Sequence, residues 1–241
     1  MLADPACLGN LLDTAGEALF EPQFWAARGE LVPVNAGRGA AWFIDSGPHR
    51  WVLRHYRRGG SMARFAQDRY LWAGEAQVRA FSEYRLLADL VRRGLPVPRP
   101  IAARYRRTGM LYRCDLIMQR IADAKPLSSL LAVAALSDAS WRAIGATIAR
   151  LHQGCVDHAD LNAHNILLDS RGVISVIDFD RGRVRDRGRA RERGAWAIRN
   201  LSRLQRSLAK VSRQLPPDRF SREAWECLLA GYASCGNSLG N

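Results

Sequence analysis

The stretch His158-Ala159-Asp160-Leu161-Asn162-Ala163-His164-Asn165-Ile166-Leu167-Leu168-Asp169 runs through Ser170-Arg171-Gly172 into Val173-Ile174-Ser175-Val176-Ile177-Asp178-Phe179-Asp180. Two short apolar runs, residues 166–169 and 173–179, flank a turn that contains glycine, the pattern of a tight antiparallel ribbon. In such a ribbon the loop entering the first strand and the loop leaving the second lie at the same end. Asp160 and Asn165 stand five apart in the entering loop, and Asp178 follows Asn165 by thirteen residues, at the end of the second strand. The pattern therefore predicts that two carboxylates and one carboxamide converge at one end of the ribbon.

Such a trio suits phosphoryl transfer. A hard divalent cation such as Mg²⁺ takes oxygen ligands, which a carboxylate and a carboxamide supply. A second carboxylate can orient an attacking hydroxyl and accept its proton. The protein needs little covalent chemistry of its own, because positioning and charge neutralisation dominate.

Outward from the ribbon, the chain changes character. Residues 30–56 read as strands, with runs at 41–45 and 51–56 separated by Ser46-Gly47-Pro48 and preceded by the turn Asn35-Ala36-Gly37-Arg38-Gly39. Residues from about 75 to 93 read as a helix with Phe81, Tyr84, Leu87 and Val91 on one face, ended by Gly94, Pro96 and Pro98. Residues 111–121 read as a buried strand. A further helix starts near Ser137, a plausible N-cap, with Trp141, Ile144, Ile148 and Leu151 as its apolar stripe. After the ribbon, Trp196, Leu201, Leu204, Leu208 and Val211 form one helical stripe, Pro216-Pro217 breaks it, and Phe220, Trp225, Leu228 and Tyr232 form another. Strands with one helix, then mostly helices, make an α+β plan in two lobes.

The 241 residues are 48% hydrophobic and 24% charged, enough apolar material for a core and no sign of global disorder. No apolar run approaches the ~18 residues of a membrane-spanning helix. The N-terminus lacks a basic start followed by an apolar block, so no secretory signal is expected. Five dispersed cysteines without a CxxC pair argue against a disulfide framework and a zinc site, and for reduced thiols in a cytosolic protein. The formal charge of +13 favours an anionic partner: nucleic acid, a phosphorylated substrate or an acidic membrane surface. Every basic residue except Lys125 and Lys210 is an arginine, so genome composition accounts for the excess as well as selection for a ligand does.

The order HxD-x₄-N, strand, D-F-x resembles the catalytic and metal-binding loops of protein kinases. The wider text, HADLNAHNILLD and VIDFDRGR together with WVLRHYRRGG and GLPVPRP, resembles the 3-deoxy-D-manno-octulosonic acid (Kdo) kinase family, related to the lipopolysaccharide core heptose kinases. The resemblance covers residues 35–235, nearly the whole chain. It implies a bilobal protein-kinase-like fold: an N-lobe over residues 1–118, with an antiparallel sheet and one helix, and a mainly helical C-lobe over 119–241. It implies ATP and Mg²⁺, and phosphorylation of the 4-hydroxyl of Kdo on a Kdo–lipid A precursor. The enzyme would be peripheral on the cytoplasmic face of a Gram-negative inner membrane, an anionic surface.

Carried over residue by residue, the resemblance makes Asp160 the catalytic base and Asn165 and Asp178 the metal ligands. His158 becomes a structural support beneath the loop. Asn162 stands where protein kinases place a lysine that contacts the transferred phosphate, a departure that suits a sugar kinase. His164 faces either phosphate or solvent. Asp180 replaces the glycine of DFG, as a further metal-side carboxylate or as a turn residue. Gly37, Arg38 and Gly39 resemble a shortened phosphate-covering loop. Arg54 stands in the place of the phosphate-pairing lysine, with a planar fork instead of a compact ammonium, and Glu83 on the following helix is its expected partner. Gln119 to Ile121 would contact adenine, largely through backbone groups. Arg57 and Arg58, and the arginine-rich run opened by Arg181 and Arg183, either draw an acceptor rich in carboxylates and phosphates or are a solvated surface set by composition.

Rival readings are a kinase-like enzyme for a heptose, an aminoglycoside or a protein, a pseudokinase scaffold, and a nucleic-acid-binding protein. The complete trio argues against the scaffold. Charge alone suggests nucleic acid, without a basic-aromatic RNA motif or a recognition helix, so no nucleic-acid partner is expected.

Overall fold

The computed structural model describes residues 1–32, 41–57, 68–185 and 190–236, with 190–193 and 236 described by backbone alone. The chain forms two compact units, Met1–Asp89 with Pro98–Arg120, and Leu90–Val97 with Ile121–Asn241.

The first unit runs β1 (Leu2–Ala3), α1 (Pro5–Leu8), α2 (Asn10–Ala15), a 3₁₀ turn Gly16–Phe20, α3 (Pro22–Ala27), β2 (Leu31–Val32), β3 (Ala41–Ser46), β4 (His49–His55), β5 (Tyr70–Leu71), a 3₁₀ turn Glu75–Gln77, α4 (Arg79–Arg92), β6 (Pro100–Thr108) and β7 (Leu111–Gln119). Among the described residues these strands form a seven-stranded antiparallel sheet of order β1-β6-β7-β4-β3-β2, with β5 on β7. Strand alternation sorts β4 into two faces. Trp51 and Leu53 are buried in one cluster with Ile44, Ile101, Ala102 and Ile117, and α1, α3 and the first 3₁₀ turn add Leu8, Leu19, Phe20 and Trp25. Each large side chain among them contributes roughly 1.5–3 kcal/mol of burial. Trp25 also donates its indole N–H to the Leu19 carbonyl at 2.8 Å. The N-terminal thirty residues thus cap one sheet face, a role that their helices of four to six residues are too short to announce by periodicity.

The opposite face of β4 carries Arg54 toward α4. The helix expected over 75–93 is a 3₁₀ turn followed by α4, and it ends at Gly94 with φ +66°. Its buried face is Ala80, Phe81, Glu83, Leu87 and Leu90, whereas Tyr84 and Val91 are only half-buried. The helix is rolled so that the Glu83 carboxylate, and not the Tyr84 ring, points inward, because a cation waits for it on β4.

The second unit runs β8 (Lys125–Pro126), α5 (Leu127–Val133), α6 (Asp138–Gln153), β9 (Val156–Asp157), β10 (Ile166–Leu168), β11 (Ile174–Val176), β12 (Arg183–Val184), α7 (Ala190–Ser212), a 3₁₀ turn Pro217–Arg219 and α8 (Arg222–Gly236). Ser137 is the N-cap of α6, its hydroxyl accepting the Ser140 N–H at 3.2 Å. The expected ribbon is β10–β11, in register Ile166↔Val176 and Leu168↔Ile174, with β8 on its edge. Separately, β9 pairs with β12. A sheet-rich first unit and a largely helical second one make the α+β class. The five cysteines are free thiols. Among the described residues no helix is long and apolar enough to cross a membrane.

Candidate functional site

The ribbon register decides where the polar trio goes. One step beyond Ile166↔Val176, the Ile177 N–H donates to the Asn165 carbonyl at 2.9 Å, so Asp178 leaves the ribbon beside Asn165. Asn165 is buried and donates its side-chain amide to the Asp160 carbonyl at 3.0 Å. With Nδ2 donating there, Oδ1 is the acceptor of that side chain. His158 is buried below, its Nε2 2.9 Å from the Ile177 carbonyl and its ring 4.5 Å from that of Phe179. A carbonyl partner assigns the proton to Nε2. Burial pushes the His158 pKa down, so the ring is neutral. These bonds bring Asp160, Asn165 and Asp178 to one end of the ribbon, with His158 buried against Ile177 and Phe179.

The loop's backbone is forced. Ala159 and Asp178 sit at φ +58° and +67°, a region that non-glycine residues enter only under outside constraint. Part of the constraint is Asp157. This buried carboxylate accepts the Ala159 N–H at 3.2 Å, the Asn200 amide at 2.9 Å, and Arg185 in a fork at 3.0 and 2.6 Å. Burial opposes its charge, but Asn200, Arg185 and the Ala159 N–H hold its carboxyl below the usual carboxylate range.

Helix α7 supplies the rest. Asn200 accepts the His158 N–H at 3.1 Å, Ser207 accepts the Ala163 N–H at 3.1 Å, and Arg203 donates to Asp160 Oδ1 at 3.2 Å. Asp160 itself is exposed. Asn162 folds back on it, its amide 3.0 Å from the Asp160 carbonyl and 3.4 Å from Oδ2. His164 is exposed, with its ring Nδ1 2.8 Å from the Ser128 hydroxyl, and its N–H donates to Asn162 Oδ1. Arg181 and Arg183 are exposed, the latter opposite Asp157 in the β9–β12 register. Sequence reasoning overlooked Asn200, Arg203 and Ser207. Their signal was a polar stripe at helical spacing beside the apolar stripe of α7.

In the first unit Glu83 is buried and receives Arg54 Nη1 at 3.3 and 3.4 Å, together with the Tyr56 hydroxyl. The Arg54 guanidinium also lies over the Tyr56 ring, 4.9 Å from its centre. The Gln119 N–H donates to Arg99 and the Arg120 N–H to Arg50, both at 2.8 Å. The backbone donors of 119 and 120 are thus already committed, which narrows the expected adenine contact to Ile121 and to carbonyl groups. Arg57 is exposed at the end of β4, and Gly37, Arg38, Gly39 and Arg58 lie outside the described residues. A cavity of about 470 Å³ opens on the face of β4 away from Arg54. Several of its charges are paired with one another, His55 and Arg104 with Asp115 and Arg113 with Asp68.

The profile of the lipopolysaccharide kinase (Kdo/WaaP) family matches residues 22–232, a span that includes Arg54, Glu83 and the whole ribbon. A protein of Xanthomonas axonopodis pv. citri named 3-deoxy-D-manno-octulosonic acid kinase is 48% identical over 201 residues, 83% of this chain and 78% of its own length. A protein of Photobacterium profundum with the same name is 41% identical over 223 residues, 92% of each chain. On the profile and these relatives, the chain belongs to the lipopolysaccharide kinase (Kdo/WaaP) family.

Proposed function

We propose that this chain transfers the γ-phosphoryl group of ATP to the 4-hydroxyl of Kdo on a Kdo–lipid A precursor, at the cytoplasmic face of the inner membrane. The observation that carries the reading is a family match spanning a loop in which Asp160, Asn165 and Asp178 converge. The exposed carboxylate of Asp160 takes the proton of the acceptor hydroxyl as that oxygen bonds to phosphorus and ADP departs. Asn165 Oδ1 and Asp178 are a carboxamide and a carboxylate, the donor pair that Mg²⁺ accepts when phosphates and water complete its shell. Bound there, the ion supplies charge neutralisation at the phosphate oxygens.

Arg54, oriented by Glu83, provides a fixed positive charge for the nucleotide phosphates, and Ile121 a backbone contact for adenine. Arg57, Arg58, Arg181 and Arg183, with Asn162 and His164 nearer the base, favour an acceptor rich in carboxylate and phosphate. Each arginine close to an anionic bilayer adds on the order of 1 kcal/mol of attraction. This attachment needs no spanning helix and no nucleic-acid partner.

The test is transfer of labelled phosphate from ATP to purified Kdo–lipid A precursor, with a heptose-bearing core as the competing acceptor. Label on the Kdo 4-hydroxyl is expected, with turnover abolished in Asp160→Ala at an unchanged melting temperature. Label on the heptose alone, or normal turnover by Asp160→Ala, would sink the reading.

A further inference from the structure

The catalytic loop is laid along one stripe of α7. Asn200, Arg203 and Ser207 recur at three- and four-residue intervals and so share a helix face. Asn200 holds the backbone of His158 and Ser207 that of Ala163. Arg203 lies between these anchors and reaches the Asp160 carboxylate. Two fixed backbone positions bracket the contact, so the guanidinium is presented to Asp160 by the way the helix and loop are joined.

The loop itself, Asp160 to Asn165, contains no lysine or arginine. Asn162 stands where protein kinases place a phosphate-contacting lysine, and it is folded back on Asp160. The cation beside the base therefore comes from another element. The pair is open, with half of each side chain accessible at 50% and 53%. A surface pair of this kind adds little to stability. Its described bond uses Nη1 of Arg203. The guanidinium is a planar fork of five N–H donors, suited to gripping a second anion while it holds the first.

We propose that Arg203 is a catalytic residue whose guanidinium bridges the Asp160 carboxylate and the phosphoryl group in transfer, in place of a catalytic-loop lysine. The inference rests on the kinase reading above, with Asp160 as the base. As the acceptor oxygen bonds to phosphorus, its proton passes to Asp160. The bond from phosphorus to the bridging oxygen of ADP breaks, and ADP leaves with the electron pair. Negative charge is spread over the equatorial phosphoryl oxygens during this passage. A guanidinium held at that point neutralises the charge and keeps the carboxylate aimed at the hydroxyl, and it ends the cycle unchanged.

The experiment uses the full chain with Mg²⁺, ATP and Kdo–lipid A precursor, and compares Arg203→Gln, Arg203→Lys, Arg203→Ala and Asp160→Asn. Arg203→Gln is expected to lower kcat by about 10²–10³-fold, the scale of losing one transition-state donor, with KM for ATP within about threefold and an unchanged melting temperature. Arg203→Lys recovers part of the rate, and methylguanidinium in solution restores part of the activity of Arg203→Ala. Should Arg203→Gln melt early, that rescue decides the question, since a packing defect does not respond to a free guanidinium. Turnover by Arg203→Gln within about threefold of the parent, with Asp160→Asn inactive, refutes the role of Arg203 and leaves the kinase reading standing. A loss confined to KM for the lipid also refutes it, because Arg203 then serves acceptor binding. Full activity of Asp160→Asn instead removes the base assignment on which the proposal is built.

Discussion

Glu83 is buried where almost no water reaches it, and Arg54 Nη1 and the Tyr56 hydroxyl both donate to its carboxyl group. Taking away one member of a buried pair leaves the other desolvated and uncompensated. Glu83→Ala is therefore expected to destabilise the first unit by about 3 kcal/mol, less than a fully enclosed pair because Arg54 remains a quarter exposed. Glu83→Gln keeps an acceptor for the hydroxyl and loses less. Urea unfolding of the two variants checks the ranking, and equal losses in both would mean that hydrogen bonding to Tyr56 is irrelevant. The partnership of Arg54 and Glu83 was legible from the order of motifs along the chain. The burial of Glu83 was not, because the aromatic and aliphatic spacing of α4 pointed to Tyr84 and Val91 instead. A charge inside a helix's buried face is invisible to periodicity until its counter-charge is located on another strand.

At the scale of elements, α6 and α8 cross through two glycines. A Cβ on Gly145 would lie 1.9 Å from the Leu228 carbonyl oxygen, and one on Gly231 would lie 2.1 Å from that of Arg142. Both obstacles are backbone, so no side chain can swing aside. Gly145→Ala and Gly231→Ala are each expected to cost about 3 kcal/mol or more by forcing the helices apart, against the few tenths to 1 kcal/mol that alanine normally gains over glycine in a helix. Thermal unfolding measures this, and a neutral or stabilising alanine at either position would show that the crossing is looser than described. Sequence alone located both helices from their apolar stripes, though Phe220 lies ahead of α8, and located the ribbon from two hydrophobic runs around Ser170-Arg171-Gly172. It missed the tight crossing, since a glycine in a helical pattern reads as a weakness until the neighbouring backbone is seen. It also missed the stripe of α7 that carries Asn200, Arg203 and Ser207, because polar residues on a helix look like a solvated face. What periodicity reports is the presence of a core side; which loop will lie along the other side depends on contacts distant in sequence.

At the scale of the whole molecule, histidines give the two units opposite responses to acid. In the first unit, His55 donates to Asp115 through Nδ1 at 2.6 Å and faces Asp68 through Nε2 at 3.5 Å, with Arg104 and Arg113 on the far sides of those carboxylates. The hydrogen bond to Asp115 outweighs burial and raises the His55 pKa above its ordinary 6.5. A raised folded pKa means that its stabilisation is fully present below 6.5 and is lost as pH climbs through the raised value. In the second unit, His152 packs against Trp196 and Tyr232, and burial lowers its pKa to about 4. There the unfolded chain binds the proton first, so stability is intact above 6.5 and falls as the medium is acidified, by about 1.4 kcal/mol per pH step until pH 4. His158, also lowered by burial, acts in the same direction. Moving from pH 7.5 to pH 5.5 is thus expected to weaken the second unit by about 1.4 kcal/mol through His152, while the His55 bridge in the first unit strengthens. Segment-resolved hydrogen exchange, corrected for the intrinsic pH dependence of exchange, separates the two responses. Opening free energies should fall in α6 and α8 and hold or rise in β4 and β7, and His55→Gln should erase only the latter gain. A parallel decline in both units, or an imidazole signal of His152 that titrates near 6.5, would show that these rings do not set the acid response.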